Sequence, residues 1–177
     1  TFGANRWTLV VNAMRRLAKP IIGSLRGHAH GGGFNLAMGT DIRIASDTLD
    51  MAIPFIKWAQ ATGANQLHYH IGIGLTLELA FTGDSINAER AERLGLINKV
   101  VSPEKLNNAV MEIANKILKK SYTTIATGKK AFYHQLELGI SKAYDFTSEV
   151  MAENMIEYNA QEGVEAFLQK RSPIWKD

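Results

Sequence analysis

The stretch Gly27-His28-Ala29-His30-Gly31-Gly32-Gly33 decides the fold of this chain. It follows a short apolar run, residues 21–25, that has the pattern of a buried strand, and it precedes residues 34–39, which begin a helix. Three successive glycines let the backbone turn sharply and approach a ligand closely. Amide N–H groups at a helix N-terminus lack partners within the helix and favour negative charge. The stretch therefore predicts either a loop that stabilises an oxyanion or a tight turn without a ligand.

The segments around this loop alternate between helix and strand patterns. Residues 6–17 place apolar side chains on one helical face, and Pro20 ends that helix. Beyond the loop, residues 41–45 and 49–53 have the alternation of short strands. The order of strand, loop, helix, strand and strand is typical of an α/β fold.

The remainder of the chain becomes increasingly helical. One more strand is predicted at residues 96–101, and Ser102 and Pro103 then open a long helix as its cap and its first residue. This helix and the later predicted ones cover residues 103–120, 123–136, 140–159 and 161–171. We therefore predict an α/β core over residues 1–118 and a helical region over residues 119–177.

The composition limits the classes of function. Hydrophobic residues make up 46% of the 177 residues and charged residues 21%, which is ordinary for a globular protein. The absence of cysteine excludes disulfides, thiolate nucleophiles and cysteine-based zinc sites, and it fits an intracellular protein. A net charge of +3 is too small a surplus to indicate nucleic-acid binding. The apolar runs are short and interrupted, and the first residues lack a signal pattern, so we expect neither a membrane span nor a secretory leader.

Four segments resemble the crotonase superfamily, also called the enoyl-CoA hydratase/isomerase family, in order and at matching intervals. Residues 19–33 are similar to its motif KPxIAxxxGxAxGGG, and residues 36–45 are similar to LAxxxDxxxA. Residues 81–101 resemble TGxxxxAxxAxxxGLVxxVV, and residues 161–171 resemble the tail xEGxxAFxEKR. The resemblance implies a ββα spiral core without its N-terminal part, followed by an all-helical C-terminal oligomerisation region. The helical pattern that begins at Arg6, with no strand pattern before it, likewise leads us to expect a piece of a longer protein, or a chain completed by another.

The resemblance also implies a ligand and the residues that contact it. The ligand is an acyl-CoA thioester, with no cofactor other than the CoA of the substrate, and the assembly is a homotrimer or a dimer of trimers. Gly32 matches the middle glycine whose amide is one of two oxyanion donors, flanked by Gly31 and Gly33. The second donor lies upstream of the present sequence. Phe167 and Lys170 match positions that approach the CoA adenine and its 3′-phosphate, although helix packing and a solvated lysine are the alternatives.

Two departures from the family pattern concern the acid–base chemistry. Hydratases of this family use two glutamates, one to polarise water and one to move the proton at the α-carbon. Asn35 occupies the first of these positions, and Phe55, after Pro54, occupies the second. Neither side chain accepts a proton, although Asn35 can orient a water or a carbonyl. Trp58, three residues beyond Phe55, is a candidate wall of an acyl pocket, with core packing as the alternative.

Histidines are the remaining candidates for proton transfer. His30 precedes the glycines directly, and imidazole is the side-chain type most often used as an acid or base near neutral pH, so we consider it a candidate for that role. The alternative is a histidine satisfied within the loop. We expect His28 to lie on the outer side, which makes it the weaker candidate. His68 and His70 are two residues apart in a predicted helix and cannot share one helix face. We therefore expect no metal site.

Three classes of function compete at this point. The first is an acyl-CoA enzyme, nominally an enoyl-CoA hydratase or isomerase, that stabilises a thioester enolate. The second is a catalytically impaired paralogue that binds acyl-CoA or assembles with active subunits, because both glutamates are replaced. The third, a nucleotide-binding α/β domain, lacks the Gly-x-Gly-x-x-Gly spacing and the P-loop lysine. We expect no nucleic-acid or membrane partner, and a cytoplasmic protein, or one of the mitochondrial matrix in a eukaryote.

Overall fold

The computed structural model describes residues 4–62, 64 and 67–176, with side chains from residue 7 onward. The chain forms two compact units. The first unit comprises the chain up to Arg15 and Ile21–Ile113, and the second comprises Arg16–Pro20 and the chain from Ala114 onward. The first unit contains both sheets and the second is helical.

Six short strands of the first unit form two three-stranded sheets. The strands are β1 (Ile22–Leu25), β2 (His28–His30), β3 (Ile42–Ser46), β4 (Asp50–Ala52), β5 (Ile86–Asn87) and β6 (Lys99–Val101). One sheet has the order β1-β3-β6 and is parallel throughout. The other has the order β2-β4-β5, in which β2 and β4 are parallel and β4 and β5 are antiparallel. Successive strands therefore alternate between the sheets in the first half of this unit.

Helices follow the strands. They are α1 (Ala4–Arg16), α2 (Gly32–Met38), α3 (Leu67–Ile71), α4 (Ile73–Thr82), α5 (Ala88–Arg93) and α6 (Leu106–Leu118), with 3₁₀ helices at Pro54–Trp58 and Pro103–Lys105. Local chemistry fixes several of their ends. Asn87 caps α5 by accepting a 2.9 Å hydrogen bond from the amide of Arg90. Gly83 ends α4 at a φ of 66°, a left-handed conformation that glycine adopts without strain. Among the described residues, no helix is both long and apolar enough to cross a bilayer.

The core of the first unit is apolar and contains one buried arginine. Phe34, Met51 and Leu96 are among its fully enclosed side chains. The guanidinium of Arg43, only 5% exposed, donates hydrogen bonds to the carbonyls of Leu96 at 2.5 Å and Thr40 at 2.6 Å. A buried charge needs such partners, because an unpaired one is strongly unfavourable. Arg43 thus fastens β3 to the loop before β6.

The second unit is built from α7 (Tyr122–Gln135), α8 (Ile140–Met155) and α9 (Tyr158–Leu168). Ser121 caps α7 by accepting a 3.2 Å hydrogen bond from the amide of Thr124. The segment after α9 folds back on it, because Glu162, 7% exposed, accepts hydrogen bonds at 2.6 and 2.9 Å from the guanidinium of Arg171. That guanidinium, followed by the amide of Ile174, lowers the pKa of Glu162 to about 2. The end of the second unit is therefore held by an ionised carboxylate.

The structure has the predicted mixture of an α/β first part and a helical second part, with several differences in detail. The predicted strand 96–101 is limited to Lys99–Val101, and the predicted helix 140–159 is broken by a turn between Met155 and Tyr158. Strand β2 lies inside the stretch for which the sequence indicated only a loop. The division between the units falls within α6, after Ile113, whereas the sequence predicted it at residue 118. The sequence is also compatible with a helix over residues 63–71; the structure has a helix at Leu67–Ile71, and residues 63, 65 and 66 lie outside the described residues.

Candidate active site

The glycine stretch forms a turn between β2 and α2. Gly31 adopts a φ of 53°, which is left-handed and favours glycine. Its amide donates a 3.0 Å hydrogen bond to the carbonyl of Ala52, which extends the pairing of β2 with β4 by one step. Its carbonyl accepts a 3.0 Å hydrogen bond from the amide of Asn35 and so starts the helix. The turn is therefore fixed on both sides by main-chain hydrogen bonds.

Gly32 is the first residue of α2, and its amide has no acceptor among the described residues. A Cβ atom at this position would lie 2.5 Å from Cζ2 of the Trp7 indole ring, so only glycine fits beneath that ring. Gly33 is different, because a Cβ atom there would meet no atom within 4 Å. The three glycines thus differ. Gly31 adopts the left-handed conformation of the turn, Gly32 allows the Trp7 ring to lie close to the main chain, and Gly33 is exposed.

A cavity of about 660 Å³ lies beside Gly32. Helix α1 contributes Trp7, Thr8, Val11 and Asn12 to its wall, and α2 contributes Gly32, Phe34, Asn35 and Met38. The rest of the described lining comprises Gly39, Phe55, Gln60, Ala61, Thr62, Ala64 and Leu67. This volume is within the range of small-molecule sites, which are concave and mainly apolar with a few polar groups.

Asn35 and Phe55, the two departures from the family pattern, both line this cavity. Asn35 lies three residues after Gly32 on α2, so the two share one helix face. The Phe55 ring packs at the glycine turn, where a Cβ atom on Gly31 would lie 3.3 Å from its Cζ. The structure therefore places Gly32, Asn35 and Phe55 around one cavity, and their roles there stay predictions.

None of the described residues that line the cavity has an ionisable side chain. The polar groups there are the hydroxyls of threonine and the amides of asparagine and glutamine, namely Thr8, Asn12, Asn35, Gln60 and Thr62. Such groups orient a carbonyl or a water by hydrogen bonding, but they exchange no proton near neutrality. The cavity is suited to binding, and it lacks an acid–base pair in its described part.

Two side chains proposed from the sequence for this site lie elsewhere. Trp58 is 65% exposed and does not line the cavity, so the aromatic wall expected from it is formed by Trp7 and Phe55 instead. His30 also lies outside the cavity lining. The sequence did not predict Trp7 as part of the cavity wall, because its contact with Gly32 joins residues 25 positions apart. The one sequence feature that pointed to it was a large aromatic side chain in the first helix, next to Thr8.

The histidines point away from the core because β2 is a strand. Side chains alternate along a strand, so Ala29, 8% exposed, faces inward, while His28 and His30 are exposed. His30 Nε2 donates a 2.6 Å hydrogen bond to Asp50 Oδ2, and His28 Nδ1 lies 3.4 Å from the same oxygen. Burial raises the pKa of Asp50, but hydrogen bonds from Ser85, His30 and His28 outweigh it and leave that pKa below its ordinary value.

Phe167 and Lys170 belong to the second unit. Phe167 lies on α9 and is 80% exposed. Lys170 is exposed just beyond the helix, at a φ of 55°, and its amide donates a 3.1 Å hydrogen bond to the carbonyl of Phe167. Both side chains are accessible, and their contact with CoA stays a prediction.

The two sheets, the glycine turn above a cavity and the helical C-terminal unit define a crotonase-type protein. The structure superimposes on enoyl-CoA hydratase from Mycobacterium smegmatis with a TM-score of 0.93 at 35% identity, covering 97% of this chain and 67% of that one. For human enoyl Coenzyme A hydratase domain-containing protein 3, the TM-score is 0.91 at 35% identity, and the covered shares are 97% and 68%. The chain belongs to the enoyl-CoA hydratase/isomerase family, whose model matches residues 4–177. The predicted family and fold class are thereby confirmed.

Curated relatives agree with this assignment. The mitochondrial enoyl-CoA hydratase domain-containing protein 3 of Rattus norvegicus is 38% identical over 168 residues, which cover 94% of this chain and 56% of the relative. The short-chain-enoyl-CoA hydratase of Clostridium acetobutylicum is 34% identical over 165 residues, which cover 92% and 63%. The present chain thus spans little more than half the length of the rat protein.

Proposed function

We propose that this chain binds an acyl-CoA thioester in the cavity beside α2 and polarises its carbonyl, but hydrates the acyl group poorly. The observation that carries the proposal is a Gly32 amide that has no acceptor among the described residues, beside a cavity whose described lining contains no ionisable side chain. Family membership supports acyl-CoA as the ligand class. The names of the relatives, which include a short-chain-enoyl-CoA hydratase, support an enoyl thioester.

The Gly32 amide is suited to an oxyanion because it has no competing acceptor among the described residues. A donor held in place before the reaction needs no reorganisation when negative charge develops on the thioester oxygen. Its effect is larger in an apolar cavity than in water, because the effective dielectric constant is lower. Loss of one such donor typically costs about 3 kcal/mol of barrier. Polarisation of the carbonyl therefore needs only the main chain of this turn.

Hydration has further requirements, which explains the second half of the proposal. Addition of water across a double bond requires a base for the water and an acid at the α-carbon, and positioned groups of this kind contribute about 10²- to 10⁴-fold. Asn35 and Phe55 provide neither, and His30 is outside the cavity. This supports the impaired paralogue over the ordinary hydratase.

The remaining parts of the proposal concern CoA and assembly. Phe167 and Lys170 are proposed to contact the adenine and the 3′-phosphate, with no cofactor besides the CoA of the ligand. The second unit exposes large apolar side chains, including Ile140 at 80% and Ile156 at 81%. Exposed apolar surface often marks an interface. We therefore propose a homotrimer, or a dimer of trimers, as the assembly. Light scattering would measure its molar mass.

Adjacent glycines of α2 provide the test of binding. Calorimetric titration with crotonyl-CoA would compare wild type with Gly32→Ala and with Gly33→Ala. The methyl group at position 32 collides with the Trp7 ring and forces it to move, so we expect a loss of affinity of about tenfold or more. The methyl group at position 33 meets open space and should leave affinity nearly unchanged. Equal effects of the two substitutions would contradict a ligand beside Gly32.

Turnover tests the catalytic half separately. Loss of the conjugated thioester absorbance of crotonyl-CoA would be followed for this chain and, alongside it, for the short-chain-enoyl-CoA hydratase of Clostridium acetobutylicum. We expect this chain to bind crotonyl-CoA but to hydrate it more slowly than the Clostridium acetobutylicum enzyme, by about 10²-fold or more. A comparable rate would overturn the proposed impairment, and absence of any crotonyl-CoA binding would overturn the ligand class.

A further inference from the structure

We propose that His28, His30 and Asp50 form a binding site for one divalent transition-metal ion of the zinc type, on the exposed face of the β2–β4 pair. Their ligand atoms all lie within 4.8 Å of one another. This site is separate from the acyl-CoA cavity, and none of its three residues lines that cavity.

Strand geometry brings the three side chains together. His28 and His30 are two residues apart on β2 and therefore project from the same face. Asp50 is the register partner of His28 on the adjacent parallel strand β4. Met51, the next residue on β4, is fully buried, so Asp50 projects from the face opposite to the core, as the histidines do. All three ligands thus lie on ordered strands and not on loops.

The distances between the ligand atoms fit a metal ion. Zinc binds imidazole nitrogen and carboxylate oxygen at about 2.0–2.2 Å, which places the donors of a tetrahedral site about 3.3 Å apart. His28 Nδ1 and Asp50 Oδ2 are 3.4 Å apart, and His30 Nε2 and Asp50 Oδ2 are 2.6 Å apart. The second distance is that of a hydrogen bond. A side-chain rotation that moves the ligand atoms by about 1 Å would widen it to the donor–donor distance of a zinc site.

The donor set and the exposure indicate which ion binds and how. Two imidazoles and one carboxylate suit zinc, cobalt, nickel and copper, whereas magnesium and calcium prefer oxygen donors throughout. The side chains of His28, His30 and Asp50 are 80%, 39% and 30% exposed, so water has access to the remaining coordination positions. Ser85 hydrogen-bonds to Asp50 and would orient the carboxylate from the outer sphere.

Such an ion would link the strands that position the glycine turn. His30 pairs with Ala52 in the β2–β4 register, and the amide of the next residue, Gly31, donates a hydrogen bond to the carbonyl of Ala52. Metal binding would therefore hold β2 against β4 one residue before the turn, and it would raise the melting temperature through mass action.

Calorimetric titration of the full chain with zinc chloride, without CoA present, tests the site. We expect one ion per chain, and a loss of affinity of more than about 100-fold in His28→Ala/His30→Ala, since even outer-sphere partners account for about 10- to 100-fold. Ser85→Ala should weaken binding by about tenfold. The single variant His28→Ala removes a side chain that is 80% exposed, so its fold should be intact, and it should also lose affinity.

The chain contains a matched control with the same spacing. His68 and His70 are also two residues apart, but they lie on helix α3, where side chains two positions apart diverge. His68→Ala/His70→Ala should leave the zinc affinity unchanged. If this pair lowers the affinity as much as the β2 pair, or if the wild type shows no saturable binding of zinc, the proposed site is wrong. Visible absorption of bound cobalt would report the coordination number independently.

Discussion

The two sides of the β2–α2 turn carry opposite kinds of chemistry. On the cavity side, the described lining offers amides and hydroxyls around Gly32 but no ionisable group. On the outer face of β2, three titratable side chains, His28, His30 and Asp50, meet within 4.8 Å. The alternation of side chains along a strand produces this separation, because it directs every second residue away from the core. Titratable residues next to a glycine loop in sequence are therefore not necessarily near the loop's ligand in space.

Placing carboxylates in the cavity should produce the largest effect. We expect Asn35→Glu/Phe55→Glu to raise the rate of crotonyl-CoA hydration by about 10²-fold or more, because it supplies the missing acid and base. Absorbance at the conjugated thioester band measures the rate. Asn35→Gln/Phe55→Gln is the matched control, since it changes size and polarity similarly without a titratable group. An equal gain in the control would show that acid–base chemistry does not limit the wild-type protein.

The contact between Trp7 and Gly32 provides a smaller effect on the same side. Gly32→Ala should weaken crotonyl-CoA binding because the indole ring is displaced, and Trp7→Ala should relieve that collision. Because Trp7 also lines the cavity, we expect the double variant Trp7→Ala/Gly32→Ala to lose less affinity than the two single variants combined, as measured by calorimetry. Simple addition of the two single-variant effects would mean that the ring and the glycine act independently.

The outer face should respond to pH through Asp50. Because the pKa of Asp50 is lowered in the folded state, its ionised form stabilises the protein above the ordinary aspartate range, and this contribution is lost as the pH falls through the folded-state pKa. Asp50→Asn should therefore lower the melting temperature at neutral pH, by an amount equivalent to about 1 kcal/mol or less for such a partly exposed group. The difference from wild type should begin to shrink near pH 4, the ordinary aspartate range, and should disappear only once the pH is below the lowered pKa of folded Asp50. A difference that persists at low pH would assign the effect to packing.

The smallest effect is expected from His30→Ala on acyl-CoA binding. Since His30 lies on the outer face, the affinity for crotonyl-CoA should change by less than about twofold, within the range of ordinary surface substitutions. Calorimetry under the conditions used for Gly32→Ala gives the comparison. A large loss of affinity would mean that His30 contributes to the acyl-CoA site, and it would contradict the separation of the two faces.

The sequence predicted the family and the fold class, because the family motifs recur in order along the chain. The structure places Gly32, Asn35 and Phe55 around one cavity, and their functional roles stay predictions. It missed β2, since three residues among glycines are too short for a strand pattern, and the outward direction of His30 depends on that strand. It missed Trp7 because the contact with Gly32 joins two distant segments. The break between α8 and α9 has neither glycine nor proline to signal it. The roles of Phe167 and Lys170 rest on the resemblance and stay predictions.

The exposed position of Gly33 has a practical consequence for measuring this site. The sequence contains no cysteine, so Gly33→Cys would introduce its only thiol, one residue from the Gly32 amide and directed into open space. A small fluorophore attached there would report the arrival of a ligand at the turn in real time. The most permissive of the three glycines would then serve as a sensor for the most restricted one.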